Sequence, residues 1–462
     1  MHSHSTSRGS SEQGKEAGIA AGEQPRASVA EHIGRLREVL AAAVDLRGTE
    51  SLPVTAELAG RLAAVRITAP GPLPGFDNSQ MDGFAVRSAD VTPGETTLPL
   101  AGIVAAGSAP GQLPAGAAIA VMTGAAIPTG ADVVVPVEKT RHGFTGIHDA
   151  ADSGPPAEVT FTGLTCADLT AGQYIRRTGS DIATHDVLAE AGELLTPQRV
   201  GVLAACGIDR VEVFAPVSTL VISTGEELRS PGQPLHPGEL YDANAPLIGA
   251  VLQQMGHRVS TAQLATDDPE TFTAGLTALI TAHHPQLILT AGGVSAGAFE
   301  VVRQVLSARG IRFGTVAQQP GGPQGWGILD AELPVRGRQN PPIAVVCLPG
   351  NPVSAAVSVE TLLRPALSAV DPSCPPPRRV AVRLAEPLSS RPGLRQYRRV
   401  ELEATEDGVL ARAVGGPSSH LLGHLARADA LLELTEDDVE VAAGTHREAI
   451  LLPGRQIRQG AL

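Results

Sequence analysis

Three glycine-rich stretches of the sequence combine small residues with hydroxyl, amide and carboxylate groups. They are "STGEEL" (223–228), "TAGGVSAG" (290–297) and "LPGNPVSA" (348–355). Glycine carries no Cβ, so the backbone of such a loop can approach a ligand closely and adopt positive φ. A helix that follows the loop presents unpaired N–H groups and a positive dipole end to an anion. A tight turn explains each loop equally well when it is taken alone. Three such loops at one edge of a sheet would form a pocket for an anionic ligand.

The elements around these loops are predicted to bring them together. Each loop follows a short apolar run, as in "STLVIST", "LILTA" and "IAVVCL", and each precedes a segment of helical length. Strands that alternate with helices in this way form a mostly parallel sheet with helices on both faces. The loops that follow parallel strands lie at the carboxyl edge of the sheet, where ligands bind. We therefore predict an α/β ligand-binding domain that begins at about residue 216.

The rest of the chain shows other patterns. Near the start, Ile33, Leu36, Val39 and Leu40 fall on one face of a predicted helix. From about residue 70 to residue 182, short Val and Ile runs are broken by Pro and Gly, which indicates strands and turns. Short strands resume after the proline-rich linker "DPSCPPPRRV" (371–380). The predicted fold class is multidomain, α/β plus β.

Composition excludes several classes of protein. The formal net charge of -13 argues against nucleic-acid binding, which depends on clustered Lys and Arg. The 4 cysteines lie far apart with no CxxC spacing, which favours the reducing cytosol. No apolar run is long enough to span a bilayer, and the N-terminal residues lack the apolar stretch of a signal peptide. We expect a cytoplasmic protein with a disordered N-terminal tail.

Five motifs in order along the chain resemble those of the MoeA family, the molybdopterin molybdenumtransferases, which include the E domain of gephyrin. Two of the motifs are the second and third glycine-rich stretches above. The others are "PGFDNSQMDGFAV" (74–86), "VMTGAAIPTGADVVVPVE" (121–138) and "IRRTGSDI" (175–182). The resemblance runs from about Ala30 to Pro453 and implies an elongated homodimer with a small-molecule substrate. The implied domains are a tail at 1–29, a discontinuous helical domain at 30–70 and 183–215, a β-rich insertion at 71–182, the α/β molybdopterin-binding domain at 216–371 and a β domain at 372–462.

The activity that this resemblance implies is insertion of molybdate into the dithiolene of adenylylated molybdopterin, with release of AMP and dependence on Mg²⁺. Other proteins of molybdenum cofactor biosynthesis are the implied partners. The glycine loops and the helix entry between them would bind the substrate. The implied binding residues are Thr224, Gly225, Glu226, Asp242, Asn244, Gly292, Gly293, Val294, Ser295, Gly297, Pro349, Gly350, Asn351, Pro352 and Ser354.

The candidate catalytic residues and Mg²⁺ ligands are Asp82, Asp181 and Glu300, which match acidic positions of the family. Carboxylates suit this role because Mg²⁺ is a hard cation that prefers oxygen ligands and bridges phosphate oxygens. The Asp-Gly pair at Asp82 is also typical of a hairpin turn, but the match to an acidic family position favours the site role. Asp242 in "LYDANA" fits either helix entry or a contact in the site, and the motif match favours binding. For Asp268 in "TDDPETF" we favour a helix N-cap over a site role.

Two arginines complete the candidate set. Arg176 and Arg177 in "IRRTGSDI" present planar donor forks that suit phosphate. An exposed, solvated pair of side chains explains them equally well, and the sequence leaves both interpretations open.

The sequence departs from the family at four positions that carry charge. Ser180 and Ala298 replace carboxylates, and Gln319 and Gly322 replace the two lysines of a Lys-Pro-Gly-Lys-Pro loop. Loss of these cations is expected to weaken oxyanion binding, because charge-assisted hydrogen bonds are roughly twice as strong as neutral ones. Gln319 and Gln324 retain neutral donors. The arginines that could supply compensating charge are Arg303, Arg312, Arg395 and Arg398.

Two other functions remain open from the sequence. A molybdopterin adenylyltransferase would share the α/β domain, although it would lack the extra β-rich domains. A non-catalytic paralogue that binds molybdopterin species or partner proteins would account for the lost lysines and carboxylates. The sequence does not distinguish molybdate from tungstate as the oxyanion.

Overall fold

The computed structural model describes residues 26–144, 158–295, 300–329 and 341–459. The predicted tail therefore lies almost entirely outside the described residues, as do Gly297 and Ala298. The chain forms two compact units. One is Gly48–Ala215, and the other combines the chain before Gly48 with the chain after Ala215. The finer division into the domains named above stays a prediction.

The larger unit is built on a six-stranded mixed sheet. Four neighbouring strands run parallel, and the last two are antiparallel to their neighbours. In spatial order the strands are Arg258–Leu264, Ser218–Thr224, Leu287–Ala291, Ile343–Leu348, Pro323–Leu329 and Arg312–Thr315. The predicted mostly parallel α/β sheet is confirmed. A separate short parallel pair joins Leu228–Arg229 to Leu240–Tyr241.

Helices cover both faces of this sheet. One buried cluster forms on each face, because successive strand residues such as Leu220 and Val221 point to opposite sides. The helices on the face of Val221 are Val29–Asp45, Asn244–Gln254, Pro352–Ser358 and Arg364–Ser368, the last two joined by a π-helical turn at Val359–Leu363. The helices on the face of Leu220 are Pro269–His283 and Val301–Ser307.

The first helix begins at a capping box. The Ser28 hydroxyl accepts a hydrogen bond from the Glu31 N–H at 3.1 Å, and the Glu31 carboxylate accepts one from the Ser28 N–H at 2.7 Å. The helix buries Leu36, Val39 and Leu40 against the sheet, and Ile33 packs at the edge of the same cluster. The predicted apolar face is therefore confirmed.

The same helix buries a histidine. His32 is fully buried, its ring centroid lies 5.0 Å from that of Trp326, and neither ring nitrogen has a hydrogen-bond partner among the described residues. Burial lowers the pKa of His32 to about 4, from an ordinary value of 6.5. The imidazole is therefore neutral in the folded protein throughout the neutral range.

We expect His32 to make the protein sensitive to acid. As the pH falls from 6.5 towards 4, His32 binds a proton in the unfolded chain but not in the folded chain. The free energy of unfolding therefore decreases. A shift from 6.5 to about 4 corresponds to about 3 kcal/mol. The His32→Leu variant should lose less stability than the wild type between pH 7 and pH 4.5 in urea unfolding. Equal losses in both proteins would show that His32 does not cause the effect.

The C-terminal part of the larger unit is β-rich, as predicted. Five of its strands close into a barrel, because Arg395–Thr405 pairs with both Gly408–Ala413 and Ala430–Leu434. Its strands are Gln318–Gln319, Arg379–Leu384, Arg395–Thr405, Gly408–Ala413, Ala430–Leu434, His446–Leu451 and Arg458–Gln459, with a separate pair Leu388–Ser389 and Glu440–Val441. One short helix, Leu422–Arg427, follows the strand Gly408–Ala413. Gln318–Gln319, from the loop between the α/β strands Arg312–Thr315 and Pro323–Leu329, pairs with Arg395–Gln396.

The described residues of the smaller unit, Gly48–Ala215, are also mostly β and include the helix Pro197–Ala205. Its five-stranded sheet has the spatial order Val133–Pro136, Gly83–Val86, Ala118–Val121, Gly94–Val104 and Glu158–Leu164. Three antiparallel pairs complete it: Thr49–Pro53 with Arg210–Phe214, Ile67–Thr68 with Val187–Ala189, and Asn78–Ser79 with Ile175–Arg176. In the described part of the chain, every helix is too short or too polar to cross a bilayer.

Candidate active site

The carboxyl ends of the parallel strands surround one cleft of about 480 Å³. This volume is in the range of small-molecule sites, roughly 300 to 1,000 Å³. The described residues that line the cleft are Thr224, Gly225, Glu227, Leu228, Asn244, Asp267, Gly292, Gly293, Val294, Ser295, Glu300, Val301, Pro323, Pro349 and Gly350. The three glycine loops therefore do share one edge of the sheet.

Most of the predicted binding residues lie at this cleft. Those that line it are Thr224, Gly225, Asn244, Gly292, Gly293, Val294, Ser295, Pro349 and Gly350, together with the predicted catalytic residue Glu300. Glu226, Asp242, Asn351, Pro352 and Ser354 do not line it, and Gly297 lies outside the described residues. The binding and catalytic roles themselves stay predictions.

The glycines let the three loops touch. A Cβ on Gly292 would lie 2.6 Å from Thr224 Oγ1 and 2.7 Å from the Thr224 carbonyl oxygen, and φ at Gly292 is +112°. A Cβ on Gly350 would lie 3.2 Å from the Cα of Gly292. The Gly292 N–H also donates to the Leu348 carbonyl oxygen at 3.1 Å. The floor of the cleft is thus a main-chain surface that larger residues could not form.

Residues that do not line the cleft hold its edges in place. Asn351 caps the helix Pro352–Ser358, since its side-chain oxygen accepts from the Val353 N–H at 3.0 Å and from the Ser354 N–H at 3.3 Å. Pro352 takes the first helical position, as predicted. Both residues fix where the third loop ends.

Asp242 is buried and fixes the helix entry beside the cleft. Its Oδ1 accepts hydrogen bonds from the Ser223 hydroxyl at 2.9 Å, the Asn244 N–H at 2.9 Å and the Ala245 N–H at 3.2 Å. These contacts fit the helix-entry alternative for Asp242, and they tie the helix Asn244–Gln254 to the end of the strand Ser218–Thr224.

Asn244 places an unused acceptor at the cleft. Its Nδ2 donates to the Gly350 carbonyl oxygen at 2.7 Å, which fixes the orientation of the amide. Its Oδ1 is buried and has no hydrogen-bond partner among the described residues. An unpartnered buried acceptor is unfavourable, so the cleft favours a ligand that brings an N–H or O–H donor to this point.

The charge of the cleft is negative. Glu227, Asp267 and Glu300 line it, and the described lining contains no Lys, Arg or His. Ser295 Oγ donates to Glu300 Oε1 at 2.5 Å, and the side chain of Glu226 accepts from the Asp267 N–H at 3.3 Å. Negative lining disfavours a bare phosphate, which therefore needs a cation to bind here.

Two of these carboxylates were missed from the sequence. Glu227 follows the predicted Glu226 in the first loop, and Asp267 follows the strand Arg258–Leu264. That strand is parallel to its neighbour, so its carboxyl end lies at the same sheet edge as the three loops. Recognition of this fourth strand would have pointed to Asp267. Its neighbour Asp268 caps the helix Pro269–His283, with Oδ2 2.7 Å from the Thr271 nitrogen, which confirms the predicted cap.

The remaining candidates belong to the smaller unit. Asp82 Oδ1 accepts from the N–H of Thr123 at 2.6 Å and from its hydroxyl at 2.8 Å, and these bonds lower the pKa of Asp82. Arg177 forms an ion pair with Asp77 at 2.6 Å. Arg176 and Asp181 are exposed. The Asp82 contacts fit the turn alternative, and the Arg177 pair shows that one of the two guanidiniums already has a carboxylate partner.

Hydrogen bonds of glutamine side chains hold the loop that lacks the family's lysines. Gln324 is buried, and its Nε2 donates to the Ser358 hydroxyl and to the Gly321 carbonyl oxygen, both at 2.8 Å. Our expectation that Gln324 offers a donor to a ligand is therefore wrong, because its NH₂ group is used internally. Gln319 is different. Its Oε1 accepts from Gln396 Nε2 at 2.9 Å, and its own NH₂ group makes no hydrogen bond to another described residue.

No group of three acidic, His or Cys side chains is assembled as a metal site within the described residues. A site made by protein ligands alone is therefore not preformed there. The carboxylate oxygens of the cleft are still the ligand type that Mg²⁺ prefers, with water and substrate phosphate as usual further ligands. The predicted Mg²⁺ ligands stay a prediction.

A mostly parallel sheet with glycine loops, an amide and carboxylates around one cleft defines an α/β protein with a cleft of small-molecule size. Three family profiles match along the chain: the MoeA N-terminal region (domain I and II) at residues 27–207, the probable molybdopterin binding domain at 220–369, and the MoeA C-terminal region (domain IV) at 381–452. The chain belongs to the MoeA family.

Similar proteins support the same assignment over nearly the full length. Molybdopterin molybdenumtransferase 2 of Mycobacterium tuberculosis is 39% identical over 435 residues, which is 90% of this chain and 98% of that protein. The molybdopterin molybdenumtransferase of Haemophilus influenzae is 31% identical and covers 84% of this chain and 90% of its own. A crystal structure of the molybdopterin biosynthesis MoeA protein from Pyrococcus horikosii superposes with a TM-score of 0.69 at 26% identity, covering 91% of this chain and 99% of that one.

Proposed function

We propose that this chain is a molybdopterin molybdenumtransferase of molybdenum cofactor biosynthesis. It inserts molybdate into the dithiolene of adenylylated molybdopterin and releases AMP. The observation that carries this proposal is the cleft at the carboxyl edge of the sheet, where a glycine floor, the free acceptor of Asn244 and three carboxylates meet. Full-length similarity to proteins named for this transfer supports it.

Each part of the cleft suits one part of that substrate. The pterin ring carries N–H donors, and Asn244 Oδ1 is a buried acceptor without a partner among the described residues. The glycine floor lets the phosphate end approach main-chain N–H groups closely. We therefore place the pterin beside Asn244 and its phosphate over Gly292 and Gly293.

The carboxylates fit Mg²⁺ as a cofactor. Glu227, Asp267 and Glu300 would hold the ion beside the substrate phosphates. When bound, Mg²⁺ draws charge from the phosphoanhydride that is cleaved. The protein orients the carboxylates in advance: Ser295 holds Glu300, and Glu226 holds the main chain of Asp267.

Gln319 sets the affinity for the oxyanion in this proposal. Pro323, the strand residue that follows this loop, lines the cleft, and Gln396 Nε2 donates to Gln319 Oε1. A Gln319→Lys substitution restores a cation at a lysine position of the family. We expect the KM for molybdate to fall about fivefold, because a charge-assisted hydrogen bond gains about 1 kcal/mol over a neutral one. Gln304→Lys adds the same charge on an exposed helix position outside the cleft and should leave KM unchanged. An equal KM for all three proteins would contradict a role for Gln319.

The test of function is AMP release from adenylylated molybdopterin by the purified protein, with Mg²⁺ and a molybdate titration. Molybdate-dependent release is the expected result. Tight binding of the substrate with no release would identify the non-catalytic paralogue. Consumption of ATP with release of pyrophosphate from unmodified molybdopterin would identify an adenylyltransferase. We also propose that the protein is a cytosolic homodimer. Its molar mass, measured by gel filtration with light scattering, tests the dimer.

A further inference from the structure

A second cationic site lies in the C-terminal barrel, outside the cleft. Arg398 is the fourth residue of the strand Arg395–Thr405, and its Nη2 donates to the Ser389 carbonyl oxygen at 3.2 Å. Its Nε and Nη1 are buried and have no hydrogen-bond partner among the described residues. Donors of a charged group are therefore left unused inside the barrel wall.

The acidic residues of the neighbouring strand Ala430–Leu434 and the turn after it are paired with other arginines. Glu433 lies 2.8 Å from Arg395 and 2.7 Å from Arg379, and Glu436 lies 2.9 Å from Arg395. Burial lowers the pKa of Arg398, and no acidic group within the described chain opposes that shift. A partly buried guanidinium without a counter-charge among the described residues is unfavourable, and such charges are normally paired.

Another buried donor lies close by in the chain. Ser390 follows Ser389, and its Oγ is also buried without a partner among the described residues. Ser389 itself is exposed, so a small ion can reach the guanidinium from that side. The group missing from this site is one that accepts hydrogen bonds and carries negative charge. Tetrahedral oxyanions meet both conditions, since the planar fork of arginine donates two parallel bonds to two of their oxygens.

We propose that Arg398 binds a small tetrahedral oxyanion of the phosphate, molybdate or tungstate class, with Ser390 as a second donor. The guanidinium donates from Nε and Nη1, and Nη2 stays on the Ser389 carbonyl. This proposal is independent of the cleft and of the transfer reaction.

The test uses the full-length protein and tungstate as the probe. The number of tungstate ions bound per chain, measured by equilibrium dialysis, should be one lower in the Arg398→Met variant than in the wild type. At tungstate ten times above the dissociation constant of this site, the unfolding equilibrium constant should fall about tenfold more in the wild type than in the variant. Without tungstate the variant should be at least as stable as the wild type, because it no longer buries an unpaired charge.

The matched control is Arg391→Met, which removes an exposed arginine of the same barrel and should bind as many tungstate ions as the wild type. AMP in place of tungstate should give equal results in all three proteins, and an AMP effect that depends on Arg398 would show that the site takes an organic phosphate instead. Equal tungstate stoichiometry in the wild type and Arg398→Met would overturn the proposal. A large loss of stability in Arg398→Met without any oxyanion would overturn it too, because the guanidinium would then be satisfied within the protein.

Discussion

Molybdate-dependent AMP release by the Glu300→Gln variant is expected to fall by at least about a hundredfold. Glu300 is a carboxylate of the cleft and is held by Ser295 Oγ at 2.5 Å. The amide keeps the shape of the side chain but removes the charge that would hold Mg²⁺ beside the phosphates. Loss of residues that merely orient a metal ligand costs 10-fold to 100-fold, so loss of a ligand charge should cost at least the upper value.

The control for this prediction is Glu270→Gln. Glu270 is exposed in the first turn of the helix Pro269–His283 and does not line the cleft. Its variant should release AMP at the wild-type rate. Circular dichroism and urea unfolding should be unchanged in both variants, since Glu300 makes no side-chain cap to its helix. A Glu300→Gln enzyme with normal turnover would remove Glu300 from the catalytic residues.

Alanine at Gly292 is expected to destabilise the protein by about 2 to 4 kcal/mol and to abolish substrate binding. The new Cβ would lie 2.6 Å from Thr224 Oγ1 and 2.7 Å from the Thr224 carbonyl oxygen, distances that force the two loops apart. Overpacking of this kind costs about 1 to 3 kcal/mol, and a non-glycine residue at φ +112° adds strain of about 1 kcal/mol or more. Urea unfolding measures the first effect, and titration with adenylylated molybdopterin measures the second.

The matched control for this substitution is Gly238→Ala. Gly238 also has positive φ, +93°, but a Cβ there would meet no atom within 4 Å. This variant should therefore show only the strain of the backbone and should bind substrate normally. If Gly292→Ala is no less stable than Gly238→Ala, the contact between the first and second loops does not constrain the cleft.

The sequence predicted the sheet and its loops because these follow from local patterns. Apolar runs of strand length, each ended by glycine and followed by a helix, determine both the parallel order and the edge where the loops meet. The first helix was equally clear from the spacing of Leu36, Val39 and Leu40.

Other parts of the site depend on contacts between distant residues and could not be predicted in this way. Asp267 lines the cleft because the strand Arg258–Leu264 pairs with the edge of the sheet. The residues of this strand are only partly buried and few of them are apolar, so its signal in the sequence is weak. Gln324 was predicted to retain a neutral donor, but Ser358, from a helix 34 residues later, takes its donor. The unused acceptor of Asn244 likewise depends on the Gly350 carbonyl, which is 106 residues away in the chain.

The contact of Gly292 with Thr224 on one side and with Gly350 on the other has a consequence for how this enzyme can diversify. Substitutions at these three positions share one space, so their effects will be strongly non-additive, and most single changes will be lost before a compensating change appears. Variation in substrate or metal preference should instead accumulate at the rim, at Glu227, Asp267 and the loop that contains Gln319 and Pro323. Libraries aimed at a new oxyanion should therefore randomise the rim and leave the glycine floor unchanged.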